Sequence, residues 1–250
     1  MNGPVTRFIV LSSARTGSTL LCNVLGASRD ITCLNELLNP QLEQYGQPAT
    51  PELKELRRND IPAFVERIAS NWTKPCFGFK IFPKHADEWL EGVLDDPNWK
   101  KIILYRENVL AAHSSRQIAT ARGKWSDTGT KAELSADENS HAIDDQTEFD
   151  ADAFEKFRRQ YQKPYTQWLT RLAETQQPFH FLEYGMLRNS RLLAGACSFL
   201  GAKPPASFKS NIVKTSSSHI LSRFSNADDV RDYLAGIGRL DWQAESFLEI

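Results

Sequence analysis

Long apolar runs are scarce in this chain. The one near the start, "FIVL" at 8–11, is too short for the core of a secretory signal, and no segment approaches the ~20 apolar residues of a membrane-crossing helix. The expectation is a soluble, cytoplasmic protein with no transmembrane segment. An excess of charge is missing too: 30 Lys and Arg stand against 31 Asp and Glu, a net charge of -1. That balance leaves no basic stripe for nucleic acid or an anionic membrane surface, so any cationic site must be local. Cysteine is sparse and unpatterned. Cys22, Cys33, Cys76 and Cys197 show no metal-ligand spacing, no CxxC pair and no disulfide framework, and they read as buried, reduced thiols. There are no internal repeats. The 250 residues suit one domain, with a large core and room for a ligand cleft.

Short apolar runs alternate with longer segments at helical spacing. "TRFIVLS" (6–12), "ITCL" (31–34), "CFGFKIF" (76–82), "KIILYR" (101–106) and "PFHFLEY" (178–184) read as strands. The alternation predicts an α/β fold, a single domain whose mainly parallel central sheet is flanked by helices. Asp60 is placed to cap a helix with Ile61, Phe64, Val65, Ile68, Ala69 and Trp72 on one face. Asn189 or Ser190 can cap "RLLAGACSFLG", with Gly201 as its left-handed stop, and Asn226 stands before "ADDVRDYLAGIG" in the same way. A segment from about 150 to 176 carries Phe154, Phe157, Tyr161, Trp168, Leu169 and Leu172 at core spacing. Those aromatics serve a core or a subunit interface, and a homo-oligomer is compatible with either. Residues 126–152 are acidic and poor in large apolar groups, which predicts a mobile insertion, either a solvated excursion or a lid.

One residue is conspicuously missing from "SSARTGST" at 12–19. A strand-to-helix turn of small residues holds oxyanions, because the first helical amides have no internal partner and the helix dipole is positive there. Gly17 lets the backbone curl, Ser18 and Thr19 offer hydroxyls, and Arg15 is the one cation. An NTP-hydrolysing loop needs lysine straight after its second glycine. Here that place holds Ser18, and the first glycine position is Ser12. The turn can still be purely structural.

Two further features lie where a parallel sheet collects its ligands, outside the carboxyl ends of the strands. Arg106 ends the fourth strand and Ser114 follows eight residues later, so that a guanidinium and a hydroxyl can bracket one phosphate. Alone, such an arginine is a solvated strand cap. Glu36, just past the second strand, can take a proton from an attacking hydroxyl, or simply pair with a neighbouring cation.

Together these stretches resemble the P-loop sulfotransferases that use 3′-phosphoadenosine 5′-phosphosulfate, especially the bacterial Stf0-type carbohydrate branch. "SSARTGSTLL" is similar to that branch's 5′-phosphosulfate loop, and "YRENVLAAHS" to its 3′-phosphate motif. "FHFLEYGMLRNSRLLAGACSFLGAKP" resembles the late strand, Glu/Tyr turn and following helix, and "VKTSSSHILSRFSN" the late loop over the nucleotide. The resemblance implies donor contacts from Ala14, Arg15, Thr16, Gly17, Ser18, Thr19, Arg106, Ser114 and Lys214, with Glu36 as base and Arg15 as the stabiliser of developing charge. None of His85, His113, His141, His180 and His219 falls where the cytosolic animal branch keeps its histidine base. The implied reaction is sulfuryl transfer to a sugar or glycolipid hydroxyl, without a metal, releasing adenosine 3′,5′-bisphosphate. Alternatives are a P-loop kinase for a nucleoside or small molecule, and a non-catalytic bisphosphate-binding regulator. Acceptor contacts are expected around 37–59, where Tyr45 can stack on a sugar, and 121–152.

Overall fold

A computed structural model describes residues 5–39, 50–123, 146–208 and 217–248. Five strands form one sheet: β1 (Thr6–Leu11), β2 (Ile31–Leu34), β3 (Cys76–Ile81), β4 (Trp99–Tyr105) and β5 (Phe179–Glu183), in the order β2-β3-β1-β4-β5. All four pairings are parallel. The helices among the described residues are α1 (Ser18–Gly26), α2 (Pro51–Asn59), α3 (Ile61–Ala69), α4 (Asp87–Asp95), α5 (Val109–Arg122), α6 (Ala151–Glu174), α7 (Ser190–Leu200) and α8 (Ala227–Gly236). None of them is long and apolar enough to cross a membrane.

The central strand explains why the strand runs are continuous rather than alternating. On β1, Ile9 and Leu11 enter a core with Phe64, Phe79, Val109 and Phe154, from α3, β3, α5 and α6. Phe8 and Val10 enter a second core with Leu21, Ile102, Leu182 and Leu193, from α1, β4, β5 and α7. Both faces are covered, as a parallel sheet requires. Close approach of strands makes Gly78 necessary: a Cβ there would sit 2.3 Å from the Phe8 carbonyl oxygen and 2.5 Å from its ring. Gly78→Ala should therefore cost about 1–3 kcal/mol, read as a lower urea midpoint at unchanged slope; an unchanged midpoint would contradict this packing.

The caps follow the sequence closely. Asp60 accepts from the Ala63 amide at 2.9 Å, and Asn189 from the Arg191 and Leu192 amides, each at 3.1 Å. Gly201 ends α7 in the left-handed region. Asn226 precedes α8 but does not cap it; its side chain ties down the Phe149 backbone instead. Four other expectations need correction. Trp72 lies beyond the end of α3 and is 44% exposed, so it is no part of that helix's buried face. The stretch 37–59 is not all loop, because Thr50 and Pro51 start α2, which buries no residue fully and lays only Leu53 and Leu56 against the core. Cys33 is half-buried, although all four cysteines are free thiols. Of the acidic stretch 126–152, residues 126–145 lie outside the described residues; beyond them Thr147 bridges to Phe224, Phe149 is buried and α6 begins at Ala151.

His113 on α5 belongs to the core. Its ring packs between Phe154 and Phe157, at 5.4 and 4.9 Å. Burial pulls its pKa down to about 4, Arg116 adds to the effect and Asp150 opposes it. The unfolded chain, with histidine near 6.5, binds the proton more readily, so stability should fall as pH drops from about 6.5 to about 4. Thermal melts across that window should show the loss, and His113→Gln should flatten it; parallel profiles would assign the loss elsewhere.

Candidate anion-binding and catalytic site

The chain leaves β1 for the far edge, returns to β3 beside β1, then crosses over β1 to β4. That change of direction places the loop after β1 at the switch point of the sheet, where ligands of such folds bind. The loop is braced from below: Tyr165 of α6 accepts from the Ser13 amide at 2.9 Å and donates to the Leu104 carbonyl at 3.0 Å. Thr16, fully buried, donates its hydroxyl to the Ser13 carbonyl at 2.8 Å. Arg15 and Gly17 both take positive φ, 66° and 82°, which curls the backbone ahead of α1. Gly17 also lies against the Tyr184 ring and Leu187, where a Cβ would meet atoms at 2.8–2.9 Å. As the N-cap of α1 it brings no side chain to the first helical amides. Ser18 is buried there, while Ala14, Arg15 and Thr19 are half-exposed.

On the β4 side the structure assembles a cationic centre. Arg15 Nε donates to Ser115 Oγ at 2.8 Å, and Arg106 Nη1 donates to the Arg15 carbonyl at 2.6 Å. Arg106 is 4% exposed; its Nε and Nη2 both reach Glu245 Oε1, at 3.0 and 2.8 Å. Its guanidinium lies 4.3 Å from the centre of the Tyr184 ring. Glu183 fixes that turn by accepting from the Glu107 and Gly185 amides, and burial pushes its carboxyl pKa up. Ser114 is fully buried and its partner is Arg223: Arg223 Nη1 donates to Ser114 Oγ at 2.9 Å and to the Ala111 carbonyl at 3.1 Å. Arg223 also holds the Ser217 carbonyl. Burial, then the charge of Arg106, pulls the Arg223 pKa down to about 10, with Glu245 opposing.

On the β2 side, Glu36 is 7% exposed and fully engaged. Its Oε1 is 3.2 Å from Lys80 Nζ, and its Oε2 accepts from Asn39 Nδ2 at 2.8 Å. Lys80, 3% exposed on β3, also donates to Thr19 Oγ1 at 2.8 Å, so one ammonium ties the carboxylate to the first turn of α1. His85 lies at this end as well, close enough to feel the charge of Glu36. Its Nδ1 accepts from the Phe82 amide at 3.4 Å, and burial lowers its pKa against the opposing charge of Glu36.

Among solved structures, the chain is similar to a sulfotransferase from Alicyclobacillus acidocaldarius, at 16% identity over 99% of this chain and 98% of that one, with a TM-score of 0.49. It is also similar to the sulfotransferase domain from the curacin biosynthetic pathway, at 14% identity over 89% of this chain and 83% of that one, with a TM-score of 0.43. No family model matches the chain, and no curated protein does.

The structure thus brings together Arg15, Arg106, Ser114 and the loop residues, and it links Glu36 to the same loop through Lys80. Lys214 and Tyr45 lie outside the described residues. Three participants escaped the sequence reading: Lys80, Arg223 and Glu245. A lysine inside the apolar run "CFGFKIF" and a second cation in "VKTSSSHILSRFSN" were the available signals for the first two. Chemically, the arrangement offers the start of α1 with Arg15, buried cations at Arg106 and Arg223 beside it, and a buried carboxylate on the β2 side.

Proposed function

We propose that this chain is a sulfotransferase that moves a sulfuryl group from 3′-phosphoadenosine 5′-phosphosulfate to a hydroxyl of a sugar or glycolipid, releasing adenosine 3′,5′-bisphosphate. The observation that carries the reading is the pair of cationic or dipolar sites at neighbouring strand ends. One is the start of α1 with Arg15; the other is Arg106, Ser114 and Arg223. A nucleotide with phosphates on both its 5′ and 3′ positions needs two such sites, whereas a nucleoside triphosphate needs one long one with a loop lysine. The residues fit an anion here, since a carboxylate already lies against Arg106.

In this reading the α1 amides, Gly17, Ser18, Thr19 and the flanking Ala14 and Thr16 hold the 5′-phosphosulfate end. Arg106, Ser114 and Arg223 hold the 3′-phosphate, with Lys214 as a further ligand. The acceptor oxygen forms a bond to sulfur while the bond from sulfur to the phosphate oxygen breaks, and Glu36 takes the acceptor's proton. Arg15 offsets the negative charge that grows on the departing oxygen. Lys80 keeps Glu36 in place through its contacts with Glu36 and Thr19. No covalent intermediate is needed, because positioning and charge stabilisation suffice. The test is an incubation with the phosphosulfate donor and a panel of sugars and glycolipids, following bisphosphate release and sulfated product by mass spectrometry. Acceptor-dependent release of both supports the reading. Magnesium-dependent phosphoryl transfer from ATP would replace it with a kinase, and tight bisphosphate binding without transfer to any acceptor with a regulator.

A further inference from the structure

Every nitrogen of the Arg106 guanidinium is already committed. Nη1 donates to the Arg15 carbonyl at 2.6 Å, while Nε at 3.0 Å and Nη2 at 2.8 Å both meet one oxygen of Glu245. This is the edge that a phosphate oxygen would use. The Glu245 side chain is 2% exposed and its charge also acts on Arg223, so it sits among the guanidinium groups of the second anion site. We propose that Glu245 is an internal competitor at that site: its tethered carboxylate occupies the place of the 3′-phosphate, and a ligand enters by displacing it. The proposal rests on the nucleotide reading above.

The attachment of Glu245 suits a displaceable group. Trp242, buried, anchors the chain upstream, and the Asn108 amide holds the Trp242 and Ala244 carbonyls at 3.0 and 3.2 Å. Beyond that point the Glu245 amide bonds the Ser218 carbonyl and the Leu248 amide the Gly185 carbonyl, each at 3.1 Å. Ala244, Ser246 and Leu248 are exposed and Phe247 is half-buried against Arg188 and Tyr184, while the Glu245 side chain is almost fully enclosed. A phosphate monoester carries up to two negative charges and several acceptor oxygens, against one charge on the carboxylate. A ligand without a phosphate at this position has nothing to offer in exchange and leaves Glu245 where it is. The exchange therefore lowers affinity for the bisphosphate alone and narrows its margin over AMP.

The test is isothermal titration of wild type and Glu245→Gln with adenosine 3′,5′-bisphosphate and with AMP. If Glu245 holds the site in about nine molecules of ten, its removal tightens the bisphosphate by about tenfold and leaves AMP within about twofold. An unchanged bisphosphate-to-AMP ratio, in proteins that still prefer the bisphosphate, would overturn the role of Glu245 and leave the nucleotide reading standing. Absence of that preference in both proteins would overturn both. Should Glu245→Gln fail to fold, hydrogen exchange of wild type decides: saturating bisphosphate should speed exchange at the Glu245 and Leu248 amides, and unchanged or slower exchange would overturn the displacement.

Discussion

Arg106→Ala should lower stability by about 3–5 kcal/mol, because it strands a carboxylate in the interior. The Arg106–Glu245 pair is nearly inaccessible, with side chains 5% and 2% exposed, and Arg106 also braces the loop through the Arg15 carbonyl. A surface pair would give far less. Chemical denaturation reads the loss, and a double-mutant cycle assigns it. Adding Glu245→Gln to Arg106→Ala should restore much of the stability, since the uncompensated charge is then gone. In the Glu245→Gln background, Arg106→Ala should weaken adenosine 3′,5′-bisphosphate by roughly 2 kcal/mol, the size of a charge-assisted hydrogen bond, with little effect on AMP. Equal loss for the two nucleotides would remove Arg106 from the 3′-phosphate. Additive stability losses would show that the pair is not coupled as its geometry implies.

Glu36→Gln should cut sulfuryl transfer by ~10²–10⁴-fold, the usual contribution of a general base. The substitution keeps the shape and the contact with Asn39 but removes the group that accepts the acceptor's proton. Donor binding should be nearly intact, since Glu36 is tied to the loop indirectly, through Lys80 and Thr19. Single-turnover rates beside bisphosphate affinity separate the two effects. Normal turnover would take Glu36 out of the role and turn attention to His85, which shares its end of the sheet. A loss confined to affinity would make Glu36 a partner that positions Lys80.

The strands were legible because each is an uninterrupted apolar run, and their ends in the structure differ from the sequence reading by no more than two residues. Parallel order followed from the helical segments between them. The helix α2 was not legible, since "PELKELRRN" buries no residue fully and has only Leu53 and Leu56 to lay against the core. At the site, Gly17, Arg15 and Arg106 were legible because local chain geometry puts them at strand ends. The partners of Arg106 and Ser114 were not, because Glu245 and Arg223 arrive from 139 and 109 positions away and only the folded chain brings them there. Lys80 was hidden differently: it stands in an otherwise apolar strand, and its charge is met there by Glu36 and Thr19. Arg106 and Ser114, read as bracketing one phosphate, each meet a residue from the C-terminal third of the chain.

The central claim is that two separate anion sites fit one nucleotide carrying phosphates at both ends of its ribose. Isothermal titration of the wild-type protein with adenosine 3′,5′-bisphosphate, AMP and ATP with magnesium tests it most directly. The account predicts preferential binding of the bisphosphate, unchanged by chelator. Preference for ATP with magnesium, or equal affinity for the bisphosphate and AMP, would contradict it.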